Sequence, residues 1–466
     1  MLFSNRDLFK ITLPLILQQL LTVLVGTIDS LMIAGVSEAA VSGISLVGSL
    51  DAVLIIFFSS MTTGGTVVIS QLLGKKKGRK TVDAAIKNSA NVPDAAKQSL
   101  YLSCTVATVL SITVLLFRGP LLHLLFGDAE AEVMHHALNY FSFIAISFPF
   151  LAIDNACAAA LRAAGDSATS LYASIGTNLM NIAGNYLLIY VIPLEAAGAA
   201  IATLIARAVT SVILVTILHS KKRAVYLERL FHYRPDWKII RAILRIGIPS
   251  GVENTLFQFG RLMTQSLIST LGTASITANS IANSLASYQY LPGTAIGNAS
   301  VAVIGRCIGA GEKKQAKRYS RILLLTAYAC IWVVVLITVF FGKTIIGAWQ
   351  LSADTADLTY QLIFYHSLWA AAVWPLGFVL PHMFRAASDV HFPMITSISC
   401  MWIFRIGLAY LLVPENLSLF GLTIPCLNMG VFGVWVAMTV DWVFRISLYS
   451  WRYFSGKWLT VYDLHQ

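Results

Sequence analysis

The sequence is short of charge. Of its 466 residues only 12% are Asp, Glu, Lys or Arg, against about 25% in soluble globular domains. So little charge cannot clothe two or three water-facing domains, and soluble folds are excluded. Long hydrophilic stretches are missing too, the longest running from 220 to 238. No G-x-x-x-x-G-K-[ST] run occurs, since Gly342-Lys343-Thr344 lacks the upstream glycine, so the chain has no phosphate loop for ATP. H-E-x-x-H and G-x-S-x-G are also absent, which removes the motif basis for a membrane protease or acyl hydrolase. The six cysteines form no C-x-x-C pair. Cys104, Cys157, Cys330 and Cys400 fall within apolar segments, Cys307 lies at a cytoplasmic end and Cys426 alone is predicted outside, so no intramolecular disulfide, zinc site or redox pair is expected. Met1–Lys10 is polar and the apolar run after it is too long for a cleavable signal, so the first span is expected to be retained.

What the chain does have is apolar sequence: 57% of residues are hydrophobic and the mean hydropathy is +0.73. A membrane span takes about 20 mainly apolar residues. Windows of that kind number twelve, from 13–35 to 430–452. The basic residues then fall into a pattern. Of 33 Lys and Arg, 27 lie at the termini, in 75–97, 221–245 and 306–321, or in two short turns; Arg118 and Lys343 alone occupy the alternate loops. Basic loops stay in the cytoplasm, so both termini are predicted cytoplasmic. The net charge of +11 is topological and no sign of nucleic-acid binding.

The hydrophilic stretch 220–238 divides the chain into halves, 1–219 and 239–466, each with six spans. The halves repeat: Pro14 aligns with Pro249, Gln18 with Glu253, Gly74 with Gly309, LRAAGD (Arg162 to Asp166) with FRAASD (Arg385 to Asp389), and Gly198 with Gly433. Six spans per half start both copies on one side, a parallel repeat. Transporters built from such repeats commonly bind cargo between the halves and rock them for alternating access.

Several segments resemble one family over essentially the whole chain: LVGTIDSLMIAG, LRAAGDS, NLMNIAGNYLLI, EAAGAAIAT, GIPSGVE, GRCIGAGEKKQA and FRAASDVHFPMI, in this order. They are similar to the multidrug and toxic compound extrusion (MATE) transporters. The resemblance implies an all-α polytopic membrane protein, twelve transmembrane helices in two six-helix lobes forming a V. It also implies a monomer in the cell membrane that exports amphiphilic organic cations in exchange for protons or sodium ions, with no cofactor. A lipid-linked oligosaccharide flippase of the wider superfamily is the alternative within transport. A membrane-embedded transferase is the alternative outside it, although no carboxylate, His or metal cluster at a water interface is seen.

Charges inside a bilayer are costly and mark partners or cavities; here they are Asp29, Asp51, Asp154, Glu253 and Asp441, with Arg207, Arg261, Arg405 and Arg445. In span 1, Gln18, Thr22, Gly26, Asp29 and Ser30 fall within about 120° of helical arc, a polar stripe predicted to line a cavity in the first half. In span 5, Ser174, Thr177, Asn178, Asn181 and Asn185 share a face of about 100°. Asp29 matches the aspartate of the first helix of MATE proteins, which implies ion coupling, with Asn178, Asn181 and Asn185 as companions. Some members carry a second aspartate where this chain has Asn185, so proton and sodium both stay open. Asp154 is divided between ion coupling and a pair with Arg207, and alignment with the family points to Asn155 as facing the same cavity. Span 7 carries Glu253, Asn254, Gln258, Arg261, Thr264 and Gln265 within about 140°, opposite Val252, Leu256, Phe259, Met263 and Leu267. Glu253, Gln258, Arg261, Gln265 and, with Gln18, the aromatic Tyr288 are the candidate substrate ligands. Arg261 would neutralise Glu253 or an anionic group of the substrate; the alternative is a Glu–Arg network involving Arg405 of span 11 that only fixes helix packing. The acid some members carry in span 10 is absent. Asp441 and Arg445, four apart, are expected to pair structurally. The duplicated Arg162–Asp166 and Arg385–Asp389 turns are expected to be hinges or caps.

Overall fold

The computed structural model describes residues 2–34, 37–78, 91–127, 130–228, 230, 232–419 and 422–462. Arg79, Lys80, Lys87 and Arg229, counted above among the loop charges, lie outside them, as does the side chain of Ser30. The chain runs through α1 (Asn5–Ala34), α2 (Glu38–Gly78), α3 (Val92–Phe126), α4 (Ala131–Ala163), α5 (Ser167–Asn185), α6 (Glu195–Leu218), α7 (Trp237–Ser269), α8 (Thr273–Gly309), α9 (Lys313–Gly347) and α10 (Ala353–Phe378). It ends through α11 (Leu380–Ala386), α12 (His391–Cys400), α13 (Leu408–Leu412) and α14 (Gly430–Phe454). A π-helical stretch, Tyr186–Val191, extends α5, and another, Met401–Gly407, joins α12 to α13. The described residues hold one small antiparallel hairpin, Asn416–Leu419 with Leu422–Pro425.

Among the described residues, nine helical segments are long and apolar enough to cross a membrane. α7 and α8 are not among them, although they have 33 and 37 residues. Length is not what they lack; Asn, Gln and Ser in both, with Glu253 and Arg261 in the middle of α7, lower their hydropathy, so part of their circumference must face protein or water. Elsewhere the surface is inverted relative to a soluble protein: Leu116, Leu124 and Phe340 are 72%, 82% and 77% exposed. In water such a surface would aggregate, whereas against lipid it needs no partner.

The chain forms two compact units, Met1–Gly251 with Gly305–Gly311, and Val252–Ile304 with Glu312–Gln466. In the first, α2, α3, α4 and α6 pack together and α1 lies on α5, around a core that includes Phe58, Leu122, Phe141 and Phe148. In the second, Leu267, Ile281, Leu285, Leu362 and Trp435 belong to one apolar core. Leu267, on the side of α7 opposite its polar arc, does not face lipid. It is buried because that end of the helix packs with α8, α10 and α14.

Two features of the sequence repeat appear as matched local geometry. A Cβ on Gly74 would overlap the Arg306 carbonyl oxygen, and one on the aligned Gly309 would overlap that of Gln71. Only hydrogen at both positions lets these backbones approach. The turns after Arg162 and Arg385 close alike: Gly165 N–H donates to Arg162 at 2.8 Å and Asp166 N–H to Leu161 at 2.9 Å, while Ser388 N–H donates to Arg385 and Asp389 N–H to Phe384, both at 2.9 Å. Both third residues are left-handed, Gly165 at φ +77° and Ser388 at φ +65°. This is a helix C-cap that favours glycine. Asp166 then caps α5 through Thr169 N–H at 3.2 Å and pairs with Arg223, and Asp389 holds Arg452 Nε at 2.8 Å.

Left-handed backbone costs a non-glycine residue about 1–2 kcal/mol, part of which glycine's own flexibility returns. Gly165→Val should therefore destabilise the protein by more than about 1 kcal/mol. Thermal unfolding of the purified protein in detergent checks the sign.

Candidate functional site

The first unit gathers one carboxylate with amides. α1 and α5 run side by side, which brings Ser170 Oγ to Gln18 Oε1 at 3.4 Å and Asn185 Nδ2 to Asp29 Oδ1 at 3.0 Å. Small residues bring α5 close to α6 as well: a Cβ on Gly184 would lie 3.0 Å from that of Ala202. The Asn181 amide also faces Asp29. With its oxygen toward an ionised carboxylate, acceptor would meet acceptor. With its nitrogen there it donates to Oδ1 and Oδ2 at 3.1 and 3.2 Å and accepts from Thr203 Oγ1 at 3.1 Å. Asn185 Oδ1 is buried without a donor among the described residues. Directly after Asn185 the helix becomes π-helical, and Gly198, where a Cβ would lie 2.5 Å from the Leu188 carbonyl oxygen, lets α6 close on it. An extra residue in a helical turn re-aims the side chains around it, and such bulges recur at functional sites.

Of the predicted ion-coupling residues, the structure thus joins Asp29, Asn181 and Asn185. Asn178 is half-buried and makes none of the contacts to Asp29. Asp154 is half-buried on α4. The hydrogen-bonding partner expected for it, Arg207, instead reaches Asp51 at 3.6 Å and Ser147 at 2.7 Å. Asn155 is half-buried, and its Nδ2 meets no acceptor among the described residues.

In the second unit Glu253 is buried and bound to Arg385 at 2.7 Å. The pairing with Arg261 offered above is therefore corrected, and Arg385 does more than cap a turn. Asp441, fully buried, pairs with Arg445 as expected at 2.8 Å and also with Arg405 at 2.9 Å. Arg405 and Arg445 both lie over the Phe257 ring, at 5.3 and 5.6 Å from its centre. Arg261 is exposed on α7, Gln258 and Tyr288 are half-buried, and Gln265 accepts from Asn279 Nδ2 at 3.3 Å. The buried chain His366 Nδ1, Gln289 and Ser367, with contacts of 2.8 and 2.7 Å, was not foreseen. Neither was Thr203. Its available signal was spacing: Thr203 and Thr210 stand two turns apart on α6, and Thr210 meets Thr177 of α5 at 2.6 Å. Among the described residues no three His, Cys, Asp or Glu side chains gather as a metal site.

The two carboxylates of interest differ in what they hold together. Asp441→Asn leaves two buried guanidinium groups around a neutral amide and should cost about 3–5 kcal/mol. Asp29→Asn removes a half-buried group bound only by amides and should cost less than about 2 kcal/mol. Thermal unfolding of the two variants side by side tests the ranking; equal shifts would contradict it.

Comparison with known proteins bears on this arrangement. The MatE family model matches residues 14–187 and 249–411. Among relatives, the "Uncharacterized transporter YisQ" of Bacillus subtilis is 27% identical over 465 residues, spanning 97% of this chain and 95% of that protein. A "Probable multidrug resistance protein NorM" of Thermotoga maritima is 26% identical over 471 residues, spanning 97% and 93%. Among solved structures, a MATE in the bent conformation shares the fold with a TM-score of 0.85 at 19% identity, over 98% of this chain and 96% of that one. An outward-facing multidrug resistance MATE transporter gives 0.84 at 18%, over 97% and 96%. With more than half of its length matched by the family model, the chain belongs to the MATE family of membrane transporters.

Proposed function

We propose that the chain is a secondary exporter of amphiphilic organic compounds, driven by entry of protons or sodium ions. It works as a monomer in the cell membrane with both termini cytoplasmic. Twelve spans form two six-helix lobes, 1–219 and 239–466, that rock about each other. The names of the relatives support drug export, and the observation that carries the coupling reading is Asp29. Asp51 and Asp441 meet guanidinium groups, whereas Asp29 meets amides. A carboxylate held this way keeps its charge available to an arriving cation.

Both coupling ions find chemistry there. For a proton, the Asn181 amide is reversible: its nitrogen donates to the ionised carboxylate, and rotated by half a turn its oxygen accepts from the protonated one. That rotation would redirect the bond to Thr203, and so to α6. For sodium, Asp29, Asn185 Oδ1 and Thr203 Oγ1 supply the oxygen donors that hard cations prefer. Occupancy by either ion favours one lobe arrangement only if it binds that arrangement better, and substrate binding is then weakened reciprocally.

Purified protein in vesicles, loaded with rhodamine 123 and given a proton or a sodium gradient in turn, identifies the ion. Asp29→Asn should lower gradient-driven efflux by about tenfold to a hundredfold while the protein stays folded. Efflux that survives the substitution would retire the assignment.

A further inference from the structure

The first unit encloses a cavity of about 190 Å³, lined by Leu2, Phe3, Leu73, Gly74, Ala224 and Arg306, all of which belong to that unit. Arg306 is the one charged group on its wall. Its Nε and Nη2 both donate to the Ala163 carbonyl oxygen, at 3.0 and 2.6 Å, a carbonyl left open where α4 ends. The Phe3 ring centre lies 5.6 Å from its Cζ. A Cβ on Gly165 would sit 3.3 Å from Nη2, so the bare glycine of the turn lets the guanidinium lie against it. Carbonyl, ring and glycine fix the group in place, yet none of them carries a negative charge. Among the described residues no carboxylate pairs with Arg306, and its far edge, formed by Nη1 and the second N–H of Nη2, makes no hydrogen bond. A half-buried cation met only by neutral groups calls for an anion.

The chain around the cavity adds positive charge. Lys75 and Lys76 follow Gly74, and Lys222 and Arg223 precede Ala224. The acids of the same segments are engaged elsewhere: Asp7 by Ser4, Asp166 by Arg223 and Thr169, Glu228 by Lys221 at 2.8 Å, and Asp236 by the first N–H groups of α7. A free guanidinium edge grips two oxygens of one phosphate in parallel, and lysines add point charges for its second negative charge. Leu2, Phe3 and Leu73 offer an apolar wall beside that edge. The volume is that of about six waters, which holds a phosphate with its glycerol and leaves acyl chains outside.

We propose that this cavity binds the phosphate of an amphiphilic phosphate ester, gripped by the far edge of Arg306, with its apolar part leaving along Leu2 and Phe3. With these segments on the cytoplasmic side, as proposed above, the source at hand is an anionic phospholipid of the inner leaflet. A soluble phosphate ester shares the head-group chemistry. Occupancy ties the first residues of the chain, the ends of α2 and α8 and the linker to the turn after α4. The site is separate from Asp29 and does not depend on the export reading.

Dihexanoylphosphatidic acid and glycerol 1-phosphate carry the same phosphate with and without acyl chains, and dihexanoylphosphatidylcholine covers that phosphate with a cation. The rise in unfolding temperature of the purified full-length protein with the concentration of each gives its Kd. Wild type should bind the phosphatidic acid about tenfold or more tighter than the phosphatidylcholine, and Arg306→Gln should remove that preference by a similar factor. Arg306→Lys should recover part of it. Because Arg306→Gln also gives up the bond to Ala163, Ala224→Trp provides the second variant: it fills the cavity from an exposed position of the linker, so it should unfold like wild type without ligand and bind the phosphatidic acid about tenfold or more weakly. Glycerol 1-phosphate binding as tightly as the phosphatidic acid would assign the site to soluble phosphate esters and overturn the lipid assignment. The whole proposal is overturned if neither phosphate ester binds, if phosphatidylcholine binds as well as phosphatidic acid, or if Ala224→Trp leaves the Kd unchanged. No ion gradient enters these measurements, so they succeed or fail independently of transport.

Discussion

An ion inside an apolar medium must be partnered, and that constraint organises this molecule more than any packing preference does. Moving a carboxylate or guanidinium out of water costs several kcal/mol even after relaxation, so a chain with 12% charged residues keeps in its spans only those that hold something. Asp51 and Arg207 join α2 to α6. Glu253 and Arg385 join α7 to α11. Asp441, with Arg405 and Arg445, ties α14 to the π-helical stretch before α13. These contacts are internal ties between helices that lipid alone would not hold in register.

Against that background one exception gains meaning. Asp29 has amide donors in place of a countercharge. A carboxylate met by amides can take a small cation without first giving up a salt bridge, which is the basis of the proposed coupling.

Much of this was legible in the residues. Charge deficit and apolar windows gave the class, and helical arcs put Asp29, Asn181 and Asn185 on the right faces, where the structure joins them. The repeat gave LRAAGD and FRAASD as equivalents, and the two turns share their hydrogen bonds and left-handed third residue. What the residues did not disclose was which face meets which. A helical wheel shows that Glu253 points inward, yet the choice between Arg261 and Arg385 as its partner depends on how α7 and α11 pack, information spread over both helices. Thr203 was missed for a related reason: a lone hydroxyl in the alanine-rich α6 gains significance only when Asn181 is found opposite.

The central claim is that Asp29 links cargo binding to a cation, and linkage can be measured at equilibrium. Rhodamine 123 affinity of the purified protein, followed by anisotropy from acid to alkaline pH with and without sodium, reports it directly. The account predicts that affinity falls as the coupling ion is added and that Asp29→Asn abolishes the dependence. An affinity that is flat in both pH and sodium, or a dependence that persists unchanged in Asp29→Asn, would contradict it.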